Sequence, residues 1–80
     1  MKITVETKFD IGDVVYIADR YHEFYANRKP RVIKNIYIMS TAWRTYVQYE
    51  VEYSGTSELV FEACTFATYE ECTKWCNENN

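Results

Sequence analysis

The segment Thr45 to Tyr53 alternates without a break. Val47, Tyr49, Val51 and Tyr53 fall on one side, and Gln48, Glu50 and Glu52 fall on the other with Tyr46. Successive side chains of an extended chain point to opposite faces, so this pattern specifies a strand in a sheet with one buried face. Ser54-Gly55-Thr56-Ser57 follows as a turn. A strand over 58–63 comes next, with Leu59, Phe61 and Ala63 on one side. A loop this short joins antiparallel neighbours, so the two segments are expected to form a hairpin.

Upstream, Phe9-Asp10-Ile11-Gly12-Asp13 reads as a tight turn feeding a strand over 14–18. Gly12 supplies backbone freedom, Asp13 can bond its own backbone, and the β-branched run beyond favours an extended chain. A further strand is expected over 32–39, ended by a turn at Ser40 to Trp43. A short edge strand at Ile3 and Val5 is also compatible with the alternation there. Residues 19–31, rich in charge and rings and holding Pro30, read as a long excursion, and such loops tend to be functional. The period changes after Phe66. Thr68-Tyr69-Glu70-Glu71 fits a capping box, and Cys72, Trp75 and Cys76 recur at helical spacing, which predicts a helix over 69–77 and a fraying tail. The expected core is Val47, Tyr49, Val51, Leu59 and Phe61, with Val15 and Ile17 opposite.

Eighty residues make a single domain, 1–80, with a small core. Its rings offset that, since each buries ~150–250 Å². No stretch approaches the ~20 apolar residues of a membrane helix, and an odd cysteine count argues against a disulfide framework. A soluble, cytoplasmic protein with reduced thiols is expected. Net charge is −3 but unevenly spread. Residues 20–44 carry six Lys/Arg against Glu23, whereas 45–80 carry seven Glu against Lys74.

The residues that could carry chemistry do not assemble into a motif. Cys64, Cys72, Cys76 and His22 are zinc-ligand types, but Cys72 and Cys76 stand one helical turn apart and His22 is remote, so no metal is expected. Glu70, Glu71 and Glu78 disfavour a thiolate on the helix, and the one histidine is distant in sequence, so no catalytic cysteine is expected either. Glu50 and Glu52 suit the solvated face of a strand. Gly12 and Gly55 form no phosphate loop. The sequence predicts no enzyme and no cofactor.

In this order the elements resemble the small SH3-like barrels of bacterial and phage genomes. Phe9, Ile11-Gly12-Asp13 and Val15, the long loop, the antiparallel strands and Phe66-Ala67-Thr68-Tyr69-Glu70-Glu71-Cys72 carry the likeness, over about residues 9–76. The resemblance implies a mainly β fold, an SH3-like barrel of five short antiparallel strands with a C-terminal helix. It also implies that the loop after the first strand and the outward aromatics bind.

Tyr16, Tyr21, Phe24, Tyr25 and Trp43 interleave there with Arg20, Arg28, Lys29, Arg31 and Arg44, the residue types of binding hot spots. Tyr37 joins them if Ile36 and Ile38 point inward. The expected partner-binding set is Arg20, Tyr21, Phe24, Tyr25, Arg28, Arg31, Trp43 and Arg44. The expected function is a non-enzymatic interaction module that binds a larger protein, such as a phage-type accessory protein or inhibitor acting on a host defence factor. The alternative is a nucleic-acid-binding barrel that stacks bases on the rings of the basic loop.

Overall fold

In the computed structural model, which describes residues 5–80, the chain is mainly antiparallel β with one C-terminal helix. β1 (Val14–Tyr21), β2 (Glu23–Ala26), β3 (Arg31–Ser40), β4 (Thr45–Tyr53) and β5 (Thr56–Phe61) follow in order. A short 3-10 turn (Glu62–Cys64) leads to β6 (Thr65–Phe66) and then to α1 (Tyr69–Glu78). The sheet order is β2-β1-β3-β4-β5, and β6 pairs with β1. β5 is hydrogen-bonded to β4 and not to β1 or β6, so the sheet is open rather than a closed barrel. Ile3, half of the expected first strand, lies outside the described residues, and Val5 has no strand structure.

The expected excursion over 19–31 is largely a hairpin. β1 continues to Tyr21, and β2 returns with Tyr21 opposite Glu23 and Ala18 opposite Ala26. His22 alone makes the reversal at φ 63°, a left-handed conformation that histidine adopts more readily than most residues. The chain then meets the start of β1 again, with Val15 opposite Arg31 and Val14 opposite Val32. β3 therefore runs on past the beginning of β1, and the β1–β2 and β3–β4 hairpins point in opposite directions.

β1 is covered on both faces, which explains its nearly unbroken apolar run. Val15 and Ile17 enter one core with Ile33, Tyr49 and Val51, edged by Phe9, Ile36, Val47 and Val60. Ala18 enters a second core with Cys72 and Cys76 of α1, edged by Tyr16, Phe24, Cys64, Phe66 and Trp75. A bulge between Ile33 and Asn35 keeps both Ile33 and Ile36 on the inner face by spending Lys34 as an extra residue.

Leu59 and Phe61 are not core residues. The turn is only Ser54-Gly55, with φ 51° and 82°, and Tyr53 pairs with Thr56. Positive φ at both positions is the signature of the two-residue turns that match the twist of a hairpin. That register sets Val60 beside Tyr49 and Glu58 beside Val51, and turns Leu59 and Phe61 outward. The strand also ends at Phe61, where the 3-10 turn replaces the expected extension to Ala63.

The helix begins as expected, with the Thr68 hydroxyl accepting from the Glu71 amide at 3.2 Å. Its tail is tied down rather than frayed. The Asn80 carboxamide accepts from the Phe24 amide at 2.7 Å and donates to the Phe24 carbonyl at 2.8 Å.

Candidate functional site

Strand alternation divides the expected basic-aromatic cluster. On β1 and β2, Arg20 and Phe24 share the face beneath α1, where Phe24 packs edge-on against Trp75 at 4.9 Å and the Arg20 guanidinium lies 5.3 Å from the Phe24 ring. Tyr21 and Tyr25 point to the opposite face, alongside Glu23 and Asp19 rather than arginines. Trp43 and Arg44 belong to the tip of the other hairpin and are not brought to these residues.

Each of the six cations between residues 20 and 44 is engaged within the chain. Arg28 stacks on Tyr69 at 5.9 Å, Lys29 on Tyr53 at 5.4 Å and Arg44 on Tyr46 at 4.3 Å. Lys34 pairs with Glu52 at 3.1 Å. Arg31 is buried and bonded to Glu58 at 3.0 Å, so of the expected binding set it joins Phe24, packed beneath α1, in having a structural place instead of a surface one.

The outer face of β3, β4 and β5 brings together what the sequence does not show as adjacent. Cross-strand pairing aligns Tyr37, Gln48 and Phe61 in one row, with Asn35, Glu50 and Leu59 in the next and Met39 and Tyr46 beyond. Leu59 is 58% exposed, Phe61 54% and Met39 55%, with Tyr37 also open to solvent. Trp43, at the tip, is 90% exposed. Arg44, Met39, Tyr46, Gln48 and Phe61 line a shallow depression on this face.

One acid sits inside the patch. Glu50 Oε1 accepts from Asn35 Nδ2 at 3.0 Å and from the Tyr37 hydroxyl at 2.9 Å. Those bonds, Asn35 first, hold the Glu50 carboxyl below its ordinary range, and the carboxylate in turn raises the Tyr37 phenol. The face thus offers large apolar groups around a fixed carboxylate, with a guanidinium at one end.

Tyr37 was foreseeable, because Ile36 and Ile38 do point inward. Met39, Tyr46, Leu59 and Phe61 were missed. The signal that finds Leu59 and Phe61 is the parity of the hairpin loop: with an even number of loop residues they lie opposite Glu50 and Gln48.

The cysteines are packing groups of the helix layer. Burial pushes the Cys72 thiol up to about 12 and also raises Cys64 and Cys76, which disfavours the reactive thiolate. Among the described residues no three His, Cys, Asp or Glu side chains form a group that could hold a metal ion. His22 stands at the β1–β2 tip with its ring 4.5 Å from that of Tyr21. Among the described residues no helix is long and apolar enough to cross a membrane. Comparison of the chain with protein-family models, curated proteins and solved structures finds no match in any of the three.

Proposed function

We propose that the protein is a non-enzymatic interaction module that binds a larger protein through the outer face of β3, β4 and β5. Phe61, Leu59, Tyr37 and Met39 are the anchors, and Trp43 with Arg44 forms the leading edge. A single observation carries this reading. The exposed apolar side chains of this face are contiguous across three strands, whereas exposed hydrophobics that need no explanation are scattered singly. The turn at Ser54-Gly55 sets Leu59 and Phe61 outward against the hydrophobic pattern, and such local conflicts concentrate at functional surfaces. Gln48 and Glu50 at the centre supply the few polar groups that orient a partner.

The fold belongs to the same proposal. The β3–β4–β5 meander, the return of β6 to β1 and the closing helix are compatible with an opened SH3-like barrel. An accessory or inhibitor protein that occupies a site on a larger host factor acts in this way, by covering a surface rather than by turnover.

The test is retention of host-lysate proteins on the immobilised chain at low and at high salt. A protein is expected to remain bound at high salt. Phe61→Ala and Trp43→Ala should each lose ~2 kcal/mol of affinity, more than tenfold, with folding intact. Tyr21→Ala and Tyr25→Ala should bind normally. Loss confined to the Tyr21 and Tyr25 variants would move the site to the β1–β2 hairpin. Retention of nucleic acid alone, falling steeply between about 50 and 200 mM salt, would replace protein recognition by phosphate binding.

A further inference from the structure

The edge of β3 that faces away from β4 is covered only at its start. β1 pairs with it through Val32 and Arg31, and the Ile33 main chain bonds Gly12 and Asp13 at 2.8 and 3.0 Å. Among the described residues no strand lies against residues 34–40. The Thr41 amide turns toward the neighbouring strand, donating to the Arg44 carbonyl at 2.9 Å. Backbone groups alternate in direction along a strand, so the N–H and C=O of Ser40, Ile38 and Ile36 aim at the open edge.

Proteins blunt exposed edges with charge, proline, bulges or covering groups, and this chain does so at its other two edges. Asn80 occupies the edge of β2 at Phe24 with both halves of its carboxamide. β5 is six residues long and carries Glu58 in an ion pair with Arg31. Residues 35–40, Asn-Ile-Tyr-Ile-Met-Ser, have neither charge nor proline, and the bulge lies before them.

Going beyond the proposed partner binding, we propose that this edge joins a second copy of the chain, β3 against β3, antiparallel about a two-fold axis at Ile38. The pattern of the segment is nearly self-complementary about that residue. Ile36 comes opposite Ser40 of the second copy, Tyr37 opposite its Met39, and Ile38 opposite its own counterpart. The Ile38–Ile38 and Ile36–Ser40 pairs use backbone groups that already face outward, and Tyr37–Met39 is the non-hydrogen-bonded pair between them. On the inner side, the 49% exposed Ile38 is covered by its counterpart. On the outer side, the thioether of Met39 meets the ring of Tyr37, a favourable contact.

Charge selects a copy of this chain for that position. The molecule is acidic, and a second copy approaching α1 meets Glu70, Glu71 and Glu78, or at the β1–β2 tip Glu23. Residues 35–40 themselves carry no charge, and the one acid beside them, Glu50, is held by Asn35 and Tyr37. The joined sheet runs β5-β4-β3-β3-β4-β5, and each copy contributes Met39 to the outer face of the other.

Sedimentation equilibrium over a range of concentrations tests the assignment. The wild-type chain is expected to approach the mass of two chains. Ile38→Pro removes an amide that points away from β4, which a strand edge tolerates, so this variant should keep the wild-type circular dichroism and sediment as one chain. Ile38→Lys should do the same, because the two-fold axis sets its ammonium groups face to face. A wild-type chain that stays monomeric across the micromolar range overturns the proposal. So does a dimer that survives Ile38→Lys, or one that dissolves on Phe61→Ala instead. Lysate retention by the Phe61 variant reports on the outer face and sedimentation on the edge, so either proposal can fail without the other.

Discussion

Tyr49 is a phenol in a position that an aliphatic residue would ordinarily fill. It is fully buried at the centre of the first core, and its hydroxyl donates to the Glu62 carboxylate and accepts from the Phe9 amide at 3.3 Å. The same carboxylate oxygen accepts from the Lys8 amide at 3.0 Å, so one side chain ties the segment before β1 to the end of β5. Burial first, and then the bond to Glu62, pushes the phenol up from 10 to about 12.

Because the folded value lies above the unfolded one, this contribution to stability is complete below pH 10. It is lost as pH rises toward 12, where the unfolded chain releases a proton that the folded chain retains. Tyr49→Phe leaves Glu62 and the Phe9 amide without that partner and should cost about 1–2 kcal/mol near neutrality. In thermal denaturation at a series of pH values, the gap between wild type and variant should narrow above pH 10. Cys72, raised in both proteins, cancels from that difference. A constant gap from pH 8 to 12 would show that the hydroxyl is not held as described. The burial of Tyr49 was legible in the alternation of Thr45–Tyr53. Its polar partner was not, because Glu62 lies in a 3-10 turn that the sequence presents as the end of a strand.

Between elements, local turn chemistry and hydrophobic pattern disagree once, at β5, and the turn prevails. Leu59 and Phe61 would face the core only across a loop with an odd number of residues. Ser54-Gly55 closes the hairpin with two. The consequence is measurable without any partner. Phe61→Ser removes a large side chain from an exposed site and should change stability by no more than about 0.5 kcal/mol. Val51→Ala deletes two buried methyl groups and should cost about 1.5–3 kcal/mol from lost burial and the cavity left behind. Equal losses in urea titrations of the two variants would mean that Phe61 packs inward.

The same comparison shows what sequence can specify about elements. Strict alternation over a long segment identified β4, and a side-chain cap followed by a change of period identified α1. β2 and the register of β5 were hidden. A one-residue reversal at His22 and a two-residue turn leave little trace in composition, yet each decides where every following side chain points.

At the scale of the whole molecule, the separation of charge along the sequence does not survive as a separation of surfaces. The cations of residues 20–44 are distributed over rings and acids of β2, β4, β5 and α1, and the two hairpins that hold Tyr21 and Phe24 on one side and Trp43 on the other point apart. Proximity in sequence therefore grouped Trp43 with Tyr21 and Phe24, where topology divides them. What unites the molecule is β1, whose alternate residues enter both cores.

That sharing has a thermodynamic consequence. If the helix layer and the sheet layer each depend on β1, neither can melt alone, and a small domain should unfold in one step. With Trp43→Phe removing the exposed indole, the fluorescence of Trp75 reports the helix layer and the amide NMR signals of β4 report the sheet layer. Both should give one urea midpoint. Thr68→Ala removes the helix cap and should cost about 1 kcal/mol. With a denaturant slope of about 1 kcal/mol per molar, as in the smallest domains, both midpoints should fall together by about 1 M. A shift of the Trp75 signal alone would show α1 detaching while the sheet persists, and the two cores would then be independent units that only happen to share a strand.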